Sequence, residues 1–160
     1  MVGVGFTAQG MDKNSPYYRQ KDSYDKRAAF IFKGIEKDEL IGNFESLVLD
    51  FGAAGFELDR MDKKLGTPNH TLLLASSKHH SESYSGCREE IATDPKIGHG
   101  WPSYGSLNPR IKADMIYFEY SNKGAAFSVG SISWCGSLSY NNSNNNVSLI
   151  TENVLKNFIK

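Results

Sequence analysis

The sequence has few cysteines, no surplus of charge and no long apolar run, and each shortage narrows the possible functions. Eighteen basic residues balance eighteen acidic ones, so the chain lacks the positive surface that nucleic acids and anionic membranes attract. No apolar stretch reaches membrane-spanning length, and the first residues have no signal-peptide pattern. Cys87 and Cys135 form no CxxC pair, which favours a reduced, cytoplasmic protein.

Aromatic and apolar residues are plentiful enough for one packed domain. The 160 residues include 12% aromatics, which is typical of a globular unit with a real core. Short apolar runs at 28–32, 46–50 and 71–76 predict buried strands. Strand-like stretches at 113–121 and 125–134 flank the turn sequence NKG, which predicts a hairpin with glycine at the positive-φ position.

A C-terminal helix is the clearest predicted element. Its apolar stripe consists of Val147, Ile150, Val154 and Phe158, widened by Leu155 and Ile159. The first 27 residues and residues 98–110 are predicted to be irregular, and residues 84–91 have loose helical spacing. Buried-type strands alternating with irregular and helical segments predict an α/β sheet protein. One convincing helix covers such a sheet poorly, so the chain is expected to be an incomplete domain.

The four histidines offer a weak metal site. His79 and His80 are adjacent, while His70 and His99 lie further away. Neighbouring side chains point in different directions on a strand or a helix, so the pair makes a poor chelate. A solvated loop is the expected setting of both residues.

The sequence also gives little support to a catalytic or metal-binding role for the cysteines and tyrosines. Cys87 with His99 or His70 would form a nucleophile and its base, although no apolar strand leads into YSGCREE. Cys135 is expected to be a small buried residue after a strand. The eight tyrosines could supply anionic oxygen ligands for ferric iron, but their spacing favours packing roles.

The stretch GAAGFELDRMD, residues 52–62, contains the best candidate for acid–base chemistry. On a strand, Glu57 and Asp59 would face one side while Arg60 faces the other. Glu57 could then serve as a general base. The ordinary alternative is a solvated carboxylate at a strand end, followed by an Asp–Arg pair that fixes the next loop.

Three long motifs resemble the C-terminal part of the large (beta) subunit of the N,N-dimethylformamidases. They are GVGFTAQG, GAAGFELDRMDKKLGTPNHTLLLASS and FSVGSISWCGSLSYNNSNNNVSLITENVLKNF. The resemblance runs from the first residues to the last and is weakest at about residues 78–110. It implies a partial glutamine-amidotransferase-like (flavodoxin-like) sheet with a C-terminal hairpin and a closing helix.

The resemblance also implies a function and a catalytic residue. Enzymes of this family hydrolyse dimethylformamide to formate and dimethylamine with a mononuclear iron held by two tyrosines and a glutamate. Those ligands align outside this chain, so no metal ligand is assigned to it. The acidic residue beside the iron corresponds to Glu57, which becomes the single predicted catalytic residue.

The chain is much shorter than the large subunit of the family, and two functional interpretations follow. In the first, it is the C-terminal section of an iron-dependent amide hydrolase. That section would be inactive alone and would assemble with the upstream part of the large subunit and a small helical subunit. In the alternative, it is a non-catalytic binding or structural module derived from that fold, and self-association would cover its apolar surface.

Overall fold

Two four-stranded sheets form the framework of the computed structural model, which describes residues 2–88, 91–92 and 105–160. The first sheet has the order β3-β1-β5-β6 and contains β1 Gly5–Gln9, β3 Glu57–Arg60, β5 Ser85–Arg88 and β6 Ile91–Ala92. The second has the order β2-β4-β7-β8 and contains β2 Tyr17–Arg19, β4 Leu72–Ser77, β7 Asp114–Glu119 and β8 Ala125–Ser128. All six pairings between these strands are antiparallel.

Helical segments are short apart from the last one. The α-helices are α1 Ser133–Ser137 and α2 Asn146–Phe158. Short 3-10 helices lie at Lys21–Tyr24, Lys26–Ala28, Lys63–Leu65 and Tyr140–Ser143. Ala8 and Leu58 of the first sheet share one buried apolar cluster with Leu74 and Met115 of the second, so the two sheets enclose a common core.

The second sheet confirms the strand predicted at 71–76 and the predicted hairpin. β7 is buried from Asp114 to Phe118 and pairs with β4 on one side and β8 on the other. The sequence predicted a positive φ at the glycine of this turn. In the structure it is the preceding residue, Lys123, that has a positive φ, of 69°. The second strand of the hairpin is also shorter than predicted, because β8 ends at Ser128 and residues 133–137 are helical.

The predictions of strands at 28–32 and 46–50 are wrong. Ala28 ends a 3-10 helix and residues 29–32 form turns, and the apolar character of this run reflects the burial of Ala28, Ile31 and Phe32 in the core. In the second run, Leu49 and Asp50 have φ values of 53° and 66°. A left-handed backbone at two successive residues is incompatible with an extended strand.

Two segments without a strand signal do form strands. β1 and β2 lie within the first 27 residues, which were predicted to be irregular, and β5 replaces the loose helix predicted at 84–91. These strands have three to five residues, which is too short for an alternating pattern to stand out. Of the loop predicted at 98–110, residues 105–107 and 109–110 form turns, and the remainder before 105 lies outside the described residues.

The predicted C-terminal helix is confirmed as α2. The Asn145 side chain accepts a hydrogen bond from the Ser148 N–H at 2.9 Å and caps the helix. Val147, Ile150 and Val154 are buried, whereas the rest of the predicted stripe, Leu155, Phe158 and Ile159, is exposed. Trp134 of α1 donates from its indole nitrogen to Thr151 Oγ1 at 3.1 Å, which fixes the two helices together.

The classification as an α/β, amidotransferase-like sheet stays a prediction that rests on the resemblance. Within the described ranges, the sheets are antiparallel and α2 is the one helix longer than five residues. None of the helices in the described part of the chain has the length and apolar character needed to cross a membrane.

Gly55 lies where no side chain fits. A Cβ atom there would overlap the Asn14 side-chain amide and approach Tyr84 Oη to 2.6 Å, whereas a Cβ on Gly5 would meet nothing within 4 Å. We expect Gly55→Ala to lower the free energy of unfolding by at least about 3 kcal/mol, since it overpacks the core and separates buried hydrogen-bond partners. Denaturant unfolding with Gly5→Ala as control, expected within about 0.5 kcal/mol of wild type, tests this. Equal stability of the two variants would contradict it.

Candidate functional site

The candidate catalytic residue Glu57 is the first residue of β3, at the edge of the first sheet. Its backbone pairs with Gln9 of the adjacent strand β1. The next residue, Leu58, is fully buried, so the alternation of the strand directs Glu57 and Asp59 to the opposite, partly exposed face. The predicted placement of the two carboxylates on one side of the chain is therefore what the structure shows.

The loop after β3 is fixed differently from the expected Asp59–Arg60 pair. Arg60 instead forms an ion pair with Asp62, with 3.3 Å between Nη1 and Oδ2. The Asp59 backbone N–H donates to the Gly130 carbonyl at 2.8 Å. β3 is thus held by β1 on one side and by the segment after β8 on the other.

A buried polar junction positions the residues just before Glu57. The Phe56 N–H donates to Tyr84 Oη at 3.1 Å, and this hydroxyl donates to Asn14 Oδ1 at 3.0 Å. The Asn14 amide in turn donates to the Gly52 carbonyl at 3.2 Å. Gly52 has a φ of 95° and lies against the backbone of residues 14 and 15, which explains why the stretch before Glu57 is rich in small residues.

Ser131 ties the same stretch to the second sheet. Its hydroxyl accepts from the Gly55 N–H at 2.7 Å and approaches the Gly55 carbonyl at 2.8 Å. Tyr17, which is fully buried, donates its hydroxyl to the Val129 carbonyl at 2.6 Å. Segment 129–131 therefore connects the core to β3 and to the residues before it by hydrogen bonds.

The face that carries Glu57 is rich in negative charge. Partial burial raises the pKa of the Asp59 carboxyl, and repulsion from Glu57 raises it further. Burial also raises the pKa of the Cys87 thiol on β5; the Gln9 N–H lowers it, and the Glu57 charge raises it. Among the residues that the structure describes, no hydrogen bond or ion pair is formed by the Glu57 carboxylate, which leaves it available to a ligand.

The proposed pairing of Cys87 with His70 is not formed, and its pairing with His99 stays a prediction. Cys87 lies on the first sheet, whereas His70 contacts the second, where its Nε2 lies 2.8 Å from the Glu119 carbonyl. His99 lies outside the described residues. The raised pKa keeps the Cys87 thiol protonated at neutral pH, which makes it a weak nucleophile. Cys135, expected to be buried, is exposed.

His80 is buried, which corrects the expectation of a solvated loop, while His79 is exposed. The His80 Nε2 lies 2.7 Å from Ser77 Oγ, and its ring packs on Tyr84 with 4.6 Å between centroids. Burial lowers the pKa of His80 to about 4, and the charge of His79 contributes to the shift. His80 is therefore neutral at physiological pH and supports the Tyr84 junction.

Metal ligation is not provided by the described side chains. Within residues 2–88 and 105–160, no group of three His, Cys, Asp or Glu side chains converges. The most buried tyrosine hydroxyls, those of Tyr17 and Tyr84, are engaged in hydrogen bonds to protein groups, and burial raises the pKa of both. Neither therefore offers a free phenolate.

Sequence reasoning missed the residues that build this support, Asn14, Tyr84 and Asp114. Asp114 is fully buried and accepts from Ser76 Oγ at 2.6 Å and from the Met61 N–H at 3.1 Å. Its partners are 38 and 53 positions away in sequence. No local pattern marks such contacts; the one available signal was the row of small residues at 52–55, which indicates close backbone packing.

Comparisons with known proteins identify the class to which this chain belongs. A family model described as N,N-dimethylformamidase beta subunit-like, C-terminal, matches residues 1–147. The chain therefore belongs to this family, and the resemblance drawn from its motifs is confirmed.

Two relatives make the assignment more specific. The N,N-dimethylformamidase beta subunit of Paracoccus aminophilus is 46% identical over 158 residues, and that of an Alcaligenes species is 44% identical over the same length. Each match covers 99% of this chain but 20% of the relative. The chain thus spans about a fifth of the length of the curated relatives it matches.

Removal of one hydroxyl tests the junction that positions Glu57. We expect Tyr84→Phe to lower the free energy of unfolding by about 1–3 kcal/mol, because the Phe56 N–H and Asn14 Oδ1 lose their buried partner. Tyr140→Phe is the matched control, since Tyr140 is 41% exposed, and its effect should stay within about 0.5 kcal/mol. Urea unfolding measures both. A Tyr84→Phe protein as stable as the control would show that the junction does not stabilise the fold.

The buried His80 should make stability depend on pH. Its pKa falls from 6.5 to about 4 on folding, so the unfolded chain binds a proton that the native chain rejects between these values. Its contribution is complete above pH 6.5 and is lost as the pH falls towards 4, by up to about 3 kcal/mol. When the free energy of unfolding is measured across this pH range, the decrease that His80 causes should be absent in His80→Gln. Most of this decrease should remain in His79→Gln, because burial is the main cause of the lowered pKa of His80.

Proposed function

We propose that this chain supplies the C-terminal section of an amide hydrolase related to the N,N-dimethylformamidases, with Glu57 as its acid–base residue. The observation that carries the proposal is the setting of Glu57. Glu57 is partly buried, and its carboxylate has no partner within the described residues. The residue is the first of strand β3, which is held by hydrogen bonds on two sides. Membership of the family supplies the class of substrate, a small linear amide.

In the proposed reaction, Glu57 transfers one proton. Its carboxylate takes a proton from a water molecule as the water oxygen forms a bond to the amide carbon. The resulting carboxyl group then gives that proton to the amide nitrogen as the carbon–nitrogen bond breaks, which releases a carboxylic acid and an amine. The contacts of Tyr84 and Ser131 fix the backbone just before Glu57, and a fixed position of the catalytic group is what general acid–base catalysis requires.

Iron belongs to the proposal through the family resemblance, with its ligands outside these 160 residues. The described side chains do not fit a ligand set, so no step is assigned to the metal here. The remaining four-fifths of the relatives' length is where ligands would lie. The upstream part of the large subunit and a small subunit are the corresponding proposed partners, since both relatives are named beta subunits.

Conversion of Glu57 to its amide tests the role directly. In the full-length protein assayed on a formamide, Glu57→Gln should lower kcat by a factor on the order of 10² to 10⁴, the usual contribution of a general acid–base group. Glu57→Asp keeps the carboxylate and should retain more of the rate.

The matched control for this experiment is Glu45→Gln, because Glu45 is an exposed carboxylate whose described contact is a backbone bridge to Phe51. It should leave kcat unchanged. A Glu57→Gln enzyme that is folded and as fast as wild type would remove Glu57 from the mechanism.

A further inference from the structure

Two open pockets on the surface share a lysine and a histidine that directly follow β4. The pockets have volumes of about 280 and 370 Å³, and Lys78 and His79 line both. The smaller pocket also contains Lys13, Tyr18 and Phe51. None of these residues takes part in the site proposed for Glu57.

The two lysines of the smaller pocket are held by aromatic rings. Lys78 Nζ lies 3.9 Å from the centroid of the Tyr18 ring, and Lys13 Nζ lies 4.7 Å from that of Phe51. A ring face attracts an ammonium group through its quadrupole but carries no net charge. The rings therefore orient both ammonium groups without neutralising them.

Acidic side chains do not neutralise this pair either. Within the described residues, neither Lys13 nor Lys78 forms an ion pair, in contrast to Lys112 with Asp114 and Lys156 with Glu152.

Asp12 interacts with the charge of Lys13 but does not line the pocket. A hydrogen bond from Ser81 is the main cause that lowers the pKa of Asp12, and the Lys13 backbone N–H lowers it further. Burial opposes these effects, and the charge of Lys13 contributes least. Its carboxylate is thus engaged by Ser81 and the backbone. The residues that line the pocket therefore include two lysines and no carboxylate.

His79 follows β4 with a left-handed backbone, a conformation in which histidine is enriched among non-glycine residues. His79 has a φ of 61°, a left-handed conformation that non-glycine residues adopt rarely and mostly where the surrounding structure imposes it. Its ring meets Tyr18 edge-on, with 6.2 Å between centroids. This conformation places the imidazole beside the ring that holds the Lys78 ammonium group.

We propose that the pocket formed by Lys13, Lys78 and His79 binds a phosphoryl group, either free phosphate or a phosphate monoester. Lysine ammonium groups bind phosphate oxygens as point charges, and a dianion matches two uncompensated ammonium groups better than a single carboxylate does. Asn43 also lines the pocket, and its side-chain amide can donate a hydrogen bond to one of the remaining oxygens. This proposal is independent of the catalytic role of Glu57.

Site-resolved protection of the lysines from acetylation tests the proposal in the full-length protein. Inorganic phosphate at about ten times its Kd should slow acetylation of Lys13 and Lys78 about tenfold, as one-site binding requires. Potassium chloride at equal ionic strength should not protect them. The exposed Lys37, remote in sequence, serves as internal reference and should react equally in all samples. Protection by glycerol 3-phosphate as well would show that a monoester fits; protection by phosphate alone would identify the free anion.

Variants then show whether the two lysines share one ligand. Lys78→Gln should abolish the phosphate protection of Lys13, whereas Lys37→Gln should leave it intact. The proposal is overturned if phosphate protects neither lysine or if chloride protects them equally. It is also overturned if both lysines are already unreactive without any anion, because they would then be covered by another part of the protein.

Discussion

The hydroxyl of Tyr84 joins three segments that are far apart in sequence, and the course of the chain into β3 depends on it. It accepts from the Phe56 N–H and donates to Asn14 Oδ1. The bond between Tyr84 and Asn14 is buried and the one from Phe56 is partly buried; away from water an unmatched polar atom is costly and a matched one specifies a single arrangement. Gly55 passes against this junction without a side chain. The backbone leading to Glu57 is therefore set by buried polar contacts more than by the sheet ladder.

A second buried polar group fixes the far end of the same strand. The Asp114 carboxylate has no solvent exposure, receives hydrogen bonds from Ser76 and from the Met61 N–H, and pairs with Lys112 at 3.1 Å. Met61 directly follows β3, so the strand is held before its first residue and after its last. Two such anchors fix the position of the Glu57 backbone, from which the carboxylate reaches the partly exposed face of the sheet.

The sequence predicted those parts of the molecule that local patterns determine. Helix α2, strand β4 and the β7–β8 hairpin each have a periodicity or turn signal of their own, and all three are present. β1, β2 and β5 have three to five residues and exist because distant strands pair with them. The orientation of Glu57 and Asp59 followed from strand alternation. The contact between Asn14 and Tyr84, 70 positions apart, has no local signal and required the fold.

The charge balance around Glu57 indicates what the rest of the protein has to contribute. Glu57 and Asp59 point to one face and repel each other, and within the described residues no cation pairs with either carboxylate. Two like charges on a partly buried face are stable when an opposite charge lies near them. In the proposed function, that charge would be the iron that the family resemblance implies. Under that proposal, this chain contributes the acid and the strand that fixes its backbone, and the iron would provide the opposite charge that Glu57 and Asp59 lack among the described residues.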